Sequence, residues 1–265
     1  MHVFSAILPG ALGLTLMALP VFSAQAKTTL ETKYRVRFVG MSVGKLTSTV
    51  VVQGKGYALS GNLKTSGFAR LLSPMTASFS SYGGMAGKTP YPAKHSLSWR
   101  GKKSGSVNMN FAQGAVASHA STPAVKYKPG TVPLKKAHLR SVMDPISALV
   151  FPVKASDVGK GSGVCNRTVP IFDGKNRFNL TFRHKRTENG KARGFKGKVH
   201  VCSVRYTPVS GHRPNKKNIR QMQRNRGTEV GFARVGNTNT YTMFNFKVPT
   251  SRGTARGTAT LFKVK

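Results

Sequence analysis

Acid is nearly absent from this chain of 265 residues: six Asp and Glu stand against 43 Lys and Arg, a formal net charge of +37. The carboxylates are Glu31, Asp144, Asp157, Asp173, Glu188 and Glu229, no two of them close in sequence, which argues against the paired acid and base most hydrolases need. Cysteine is scarce as well. Cys165 and Cys202 are the only two, no C-x-x-C occurs, and the histidines show neither H-x-x-x-H nor H-x-H spacing, so a metal centre is not expected. Trp99 is the sole tryptophan. Beyond the N-terminus no segment is apolar enough to span a bilayer. Aromatic residues are not lacking: 15 Phe and 7 Tyr are far more than a disordered polycation would carry, so a folded domain with a very positive surface is expected.

The N-terminus reads as a secretory signal over residues 1–26. An apolar run from Val3 to Phe22 leads to Ala24-Gln25-Ala26, the small-x-small pattern of a cleavage site, followed by Lys27. The run approaches the ~20 residues of a membrane span. Pro9, Pro20 and the Ala-rich end favour cleavage over an uncleaved anchor. The expected mature protein is residues 27–265, one β-rich periplasmic domain with no transmembrane segment left. In an oxidising compartment the even cysteine count predicts a Cys165–Cys202 disulfide.

Past the signal the pattern has a period of two. "YRVRFVGMSVGKL" predicts a hairpin turning near Gly40 to Gly44, and "GYALSGNLKT", "TASFSSYGG", "HSLSWR" and "SVNMNFAQG" predict short strands after it. "RFNLTFRHKRT", "FKGKVHVCSVRYTPV", "EVGFARVG", "TYTMFNFKVPT" and "TARGTATLFKVK" repeat the habit. Four stretches depart from it. "SGFARLLS" suggests one helical turn packing Phe68, Leu71 and Leu72; "MDPISALVFP" suggests a helix with Asp144 as N-cap and Pro145 at its first position. "RPNKKNIRQMQRNRG" reads as a basic helix or a solvated loop, and Gly114 to Lys136 as a long loop or linker. The fold expected is mainly β, a single curved and partly closed antiparallel sheet, barrel-like, with one or two short helices.

Three segments carry a resemblance: "DPISALVFP" with Asp144, Pro145, Ser147 and Ala148; "CNRTVPIFDGKNRFNL" with Cys165, Phe172, Asp173, Gly174, Lys175, Arg177 and Phe178; and "VCSVRYTPVSGH" with Cys202, Tyr206, Pro208 and Gly211. In these the chain resembles a family of exported proteobacterial proteins, domain of unknown function 3108. The hairpin with Gly40 and Gly44 and the closing "VPTSRGTARGTATLFKV" also fit. The resemblance implies a periplasmic, β-rich protein and supplies no reaction.

Residue by residue, catalytic readings are weak. Asp173-Gly174 between two strand-like runs is a hairpin-turn signal, with Asp173 expected to pair with Lys175 or Arg177. Ser42-Val43-Gly44-Lys45 matches S-x-x-K, but in a turn and not on a helix. "GGMAGKT" falls one residue short of a phosphate-binding loop. The positive charge is harder to dismiss: Arg213, Lys216, Lys217, Arg220, Arg224 and Arg226 crowd one stretch and form a candidate anion site. Export would put cytoplasmic nucleic acid out of reach and make an anionic envelope lipid, an acidic glycan or a periplasmic protein the better partner. The competing explanation is a charge bias with no partner behind it. The function expected is a non-enzymatic envelope protein with no cofactor; the alternatives are an envelope hydrolase with an Asp/His pair assembled in space, and a basic nucleic-acid binder. Phe79, Trp99, Phe111, Phe244 and Phe246 are candidate lining for an apolar carrier cavity, or plain core.

Overall fold

A computed structural model of the protein describes residues 26–87 and 89–265. The signal reading therefore lies, but for Ala26, outside the described residues. The strands are β1 (Lys27–Phe38), β2 (Met41–Gln53), β3 (Gly56–Thr65), β4 (Thr76–Ala86), β5 (Thr89–Arg100), β6 (Gly105–Ala112) and β7 (Ala115–Thr122), then, after a long irregular crossing, β9 (Arg167–Phe172), β10 (Arg177–Ala192), β11 (Phe195–Ser210), β12 (Glu229–Arg234) and β13 (Thr240–Thr250). Most are joined by short turns, with helical segments between β3 and β4 and between β11 and β12. β8 (Val150–Pro152) lies within the crossing, and β14 (Gly253–Val264) closes the chain. They make one antiparallel sheet in the order β7-β6-β5-β4-β3-β2-β1-β14-β13-β12-β11-β10-β9, with β8 paired to β13 off that path. The first and last strands are neighbours, which joins the two halves in the middle of the sheet.

Each strand exists because its inward residues have a core to enter. On β1 these are Leu30, Thr32 and Tyr34, all buried, while Glu31, Lys33 and Arg35 alternate outward. Tyr34 reaches across to donate to the Met243 carbonyl at 2.5 Å, and burial pushes its pKa up to about 12. One apolar cluster gathers Leu30, Val50, Leu59, Phe244 and Phe262. A second surrounds Phe151, Phe182, Phe232 and Tyr241. The Arg167 guanidinium carbon sits 3.4 Å from the centroid of the Phe151 ring in that second cluster, a cation–π contact.

The sheet is not closed by strand pairing, which corrects the barrel-like expectation. Segment 140–143 stands between the two edges. Val142 N–H donates to Gly114 O beside β7, Met143 N–H to Pro170 O on β9, and Phe172 N–H returns a bond to Met143 O. The exposed His119 ring on β7 meets the buried Phe172 ring on β9 edge to face at 5.1 Å. The segment thus bridges the start of β7 to β9 without the two edge strands pairing with each other, and it covers part of the edge groups they would otherwise expose.

Other expectations shift locally. The hairpin turn falls at Val39-Gly40, with Gly44 inside β2. The helix expected after Asp144 is a single 3-10 turn, Ser147–Leu149, because Val150 to Pro152 leave it to pair with β13. The first part of the expected linker is β7. Helix α1 (Phe68–Leu72) forms as one turn, yet Leu71 is exposed and not packed. The basic stretch is helical, α3 (Lys217–Arg224), and α2 (Gly161–Cys165) is a short helix laid on β10 and β11. "GGMA" ends β4 and Thr89 opens β5, so the near miss to a phosphate loop is a hairpin. No helix of the described residues is long and apolar enough to cross a membrane.

Candidate anion-binding site

The disulfide is present. Cys165, the last residue of α2, is bonded to Cys202 on β11, with their Cα atoms 5.4 Å apart. α2 lies close to the sheet because Gly161 faces the His184 ring, where a Cβ would come within 2.1 Å of Nε2. From this anchor the chain runs directly into β9, and β9 delivers the turn Asp173–Asn176. Asp173 Oδ1 accepts the backbone N–H groups of Lys175 (2.9 Å) and Asn176 (2.6 Å), while Oδ2 accepts the Asn176 side-chain amide at 3.1 Å. The expected ion pair is not what holds it: Arg177 donates instead to the Phe178 carbonyl (2.7 Å) and to Asn179 Oδ1 (2.8 Å). A carboxylate already satisfied by two backbone N–H groups gains little from a flexible exposed cation.

Two glycines make this turn possible where it stands. Gly174 has φ 91° and packs on Val107, so a Cβ there would sit 2.6 Å from a Val107 methyl. Gly211, with φ 78°, lies under the turn, and a Cβ would fall 2.1 Å from the Lys175 carbonyl oxygen. Gly211 N–H donates to Val132 O and Val132 N–H to His212 O, which ties the 126–132 loop alongside. Tyr127 adds a hydrogen bond from its hydroxyl to the Lys175 carbonyl at 3.0 Å. Behind the turn the Phe178 and Tyr206 rings meet at 5.1 Å, and Pro208 pairs with Phe178 across the ladder. Burial first, and the Asp173 charge second, push the Tyr206 hydroxyl up to about 12 and raise that of Tyr127.

Between the turn, the 126–132 loop and the approach to α3 lies an open cavity of about 360 Å³. Lys126, Lys128, Lys175, Arg213 and Lys216 line it together with His212. The ion pairs that Glu31, Asp144, Glu188 and Glu229 make all involve other residues. Asp173 is the nearby carboxylate, and its oxygens are turned to the backbone and to Asn176. His212, which lines it, has a buried Nδ1 with no hydrogen-bond partner among the described residues. Asn176, Asn218 and Thr131 add neutral donors to the lining. Five cations converging without a facing carboxylate repel one another, and an anion would relieve that cost.

The basic cluster expected from the sequence is divided by the fold. Arg213 and Lys216 face this cavity; Lys217, Arg220 and Arg224 face a second one, of about 780 Å³, between α3 and Pro249 to Ser251 at the β13–β14 hairpin; Arg226 lines neither. Lys126 and Lys128 were not legible as partners, since they come from the stretch that looked like a linker. Lys175 and His212 were legible only as motif neighbours.

Asp144 and Pro145, the other part of the motif, lie elsewhere. The Asp144 carboxylate is fully buried. Oδ1 accepts the backbone N–H groups of Ile146 and Ser147, each at 2.9 Å, and the Ser81 hydroxyl at 2.7 Å; Oδ2 accepts the Ser147 hydroxyl at 2.5 Å. Tyr57 donates in turn to Ser147 Oγ at 2.6 Å. His95 Nδ1 lies 3.1 Å from Asp144 Oδ1 and 2.7 Å from Ser81 Oγ. Desolvation would raise the Asp144 carboxyl, but the His95 hydrogen bond and charge, followed by the Ser147 groups, outweigh it and hold the pKa below the usual carboxylate range. Asp, His and Ser do meet here, yet one ring nitrogen faces both partners, whereas a nucleophile relay uses the two nitrogens separately. Neither of the two cavities described above is lined by these three. Among the described residues no group of His, Cys, Asp and Glu could hold a metal ion. The candidate carrier lining is also dispersed: Phe244 and Phe111 sit in different core clusters, and Trp99 packs against the latter.

No curated protein and no solved structure matches this chain. A family model does, over residues 33–260, a span that takes in both halves of the sheet, the buried Asp144 and the glycine-braced turn: the chain belongs to the family described as protein of unknown function, DUF3108.

Proposed function

We propose that this protein is exported to the cell envelope and acts there by binding, not by catalysis, holding an anionic envelope component in the cavity beside the Asp173–Asn176 turn. The observation that carries the reading is the convergence of Lys126, Lys128, Lys175, Arg213 and Lys216 without a facing carboxylate, on a turn whose backbone Gly174 and Gly211 hold in place. Phosphate or carboxylate groups of a lipid headgroup or glycan are the chemistry such a cluster recognises. Export is supported by the signal-like N-terminus and by the disulfide, a bond that persists in oxidising compartments. A protein partner would have to present an acidic surface to the same cavity. Against the hydrolase alternative, Asp144 and His95 are 0% and 2% exposed, and the Asp173 carboxylate is taken up by the Lys175 and Asn176 N–H groups and the Asn176 amide.

The test is sedimentation with vesicles of phosphatidylglycerol and phosphatidylcholine, against phosphatidylcholine alone. The native chain is expected to bind only the anionic vesicles. The double variant Lys175→Glu, Arg213→Glu should lose roughly tenfold in affinity, the size of a charge-pair coupling of about 1.4 kcal/mol, with its melting temperature unchanged. Equal binding by the variant would refute the site; binding to neither vesicle would move the reading to a soluble acidic glycan.

A further inference from the structure

A second surface owes nothing to the motif. Strand pairing sets Glu31, Thr49, Ser60, Ser80 and Ser96 in one outward row across β1 to β5, and Lys33, Thr47, Asn62, Ser78 and Ser98 in the next. Eight of these ten side chains are Ser, Thr or Asn, all short, and they floor an open trough of about 520 Å³. A third row runs beside them: Arg35 opposite Lys45, Lys45 opposite Lys64, and Arg100 at the far end beyond Thr76.

Strand stability does not ask for this arrangement. Serine and asparagine are poor strand formers next to the Val, Thr and aromatic residues that fill the inward positions. Like charges directly opposite one another destabilise a sheet, and Arg35, Lys45 and Lys64 do just that, with Glu31 held at the trough's end by Lys265. The hydrogen-bonding capacity is also largely unspent. Ser78 donates to Asn62 Oδ1 and Ser96 to Asn108 Oδ1, both at 2.8 Å; Thr47, Thr49, Ser60, Ser80 and Ser98 make no side-chain hydrogen bond among the described residues.

A hydroxyl both donates and accepts. Strands lie roughly 4.8 Å apart, so each row offers a hydroxyl or amide at an interval close to the repeat of an extended pyranose chain. A ligand lying across the strands would meet its own hydroxyls with those of the floor and its acid groups with the cationic row. The two rows themselves hold no apolar or aromatic side chain. Phe79 also lines the trough and Tyr82, 49% exposed, stands outward two residues beyond Ser80, so it is the unspent hydroxyls and the row of cations that favour an acidic glycan over a bilayer or a stacked base. We infer that the outer face of β1–β5 binds a linear acidic polysaccharide, laid across the strands with its carboxylates along Arg35, Lys45, Lys64 and Arg100. This goes beyond the motif cavity and does not depend on it.

The test uses the full chain with three probes: hexameric oligogalacturonate, the same hexamer as its methyl ester, and single-stranded DNA of matched charge. The native protein should bind the acid hexamer well, the neutral ester measurably but more weakly, and DNA more weakly than the acid hexamer. Ser80→Tyr fills the floor with a residue strands favour, and should cut hexamer affinity about tenfold or more without lowering the melting temperature. Lys64→Glu, fully outward, should do the same for the acid hexamer and leave the ester little changed. The motif-cavity double variant should bind the hexamer as the native chain does. Hexamer binding indifferent to Ser80→Tyr and Lys64→Glu would overturn the proposal, and so would DNA binding as tightly and losing as much with Ser80→Tyr, which would assign the face to nucleic acid. Loss of hexamer binding only in the motif-cavity variant would also overturn it and leave the proposed function standing.

Discussion

The strands before Arg140 and those after it share a two-residue period but manage charge in opposite ways. The first group contains a single carboxylate, Glu31, and its outward face includes two rows of mostly hydroxyl and amide side chains beside a row in which Arg35, Lys45 and Lys64 face one another. The second group spends its acids on its own cations: Glu229 takes Lys185 and Arg186, at 2.7 and 2.9 Å, and Glu188 takes Arg186. It also carries the disulfide and the aromatic cluster around Arg167. In a chain with six acids, where each is placed shows which parts must be neutralised to fold and which are left charged. The left-charged parts, the motif cavity and the row beside the trough, are the ones offered to a ligand.

Asp144 joins the two groups, since it binds Ser81 of β4 from the crossing that leads to β8. Asp144→Ala would take one partner from each of the Ser81 and Ser147 hydroxyls, leave the Ile146 and Ser147 N–H groups unpaired and remove the His95 contact in a largely buried site, and should cost about 3–5 kcal/mol in chemical denaturation at neutral pH. Because the folded carboxyl is held below its ordinary range, its contribution is complete above the unfolded value of about 3.9 and is lost as pH falls through the lower folded one. The gap between native and variant stability should therefore narrow in acid below about pH 4. A gap that stays constant down to acid denaturation would mean the charge contributes nothing.

The next effect separates the groups. Breaking the Cys165–Cys202 bond by Cys202→Ser releases a loop of 37 positions, worth about 4 kcal/mol in the loop-entropy model and less in practice. The loss should not be uniform. Hydrogen exchange is expected to rise first in α2, β9 and the Asp173–Asn176 turn, whose anchor is the bond itself, while β2 to β4 keep their protection. Uniform loss over both groups would show that the sheet opens as one unit and that the comparison fails for stability.

Much of this was legible beforehand, for physical reasons. Alternation announces a strand because side chains on a pleat alternate faces, so the hairpins from β1 to β6 and from β10 to β14 could be read directly. Asp173-Gly174 announced its turn because φ > 0 is needed there, and Gly174 supplies it. What failed was whatever depended on distant partners. "MDPISALVFP" carries good helix-start chemistry, but Val150 to Pro152 pair with Thr240 to Thr242, some ninety positions on, and that pairing ends the turn. Lys126 and Lys128 had no local pattern, and only the 126–132 loop's bonds to Gly211 and His212 bring them to the motif. The trough was invisible for the same reason: each strand shows only two or three outward Ser, Thr or Asn, and the rows exist only once five strands are in register.

The smallest effect tests whether the outer faces differ in purpose. On the second group Thr168 and Thr181 lie opposite each other with their hydroxyls 3.1 Å apart, a pairing that favours the ladder. Thr181→Ser should cost ~0.3 kcal/mol there. On the first group the reverse change, Ser80→Thr between Ser60 and Ser96, should stabilise by a similar ~0.3 kcal/mol, since threonine suits an outward strand position better than serine and Ser80 makes no side-chain hydrogen bond that would be lost. Differences this small require denaturant midpoints measured side by side, with equal slopes. If Ser80→Thr destabilises instead, serine is there for the sheet's own sake and the trough floor is structural. If it stabilises, the native residue is kept against the preference of the strand, as a surface shaped for something other than folding would require.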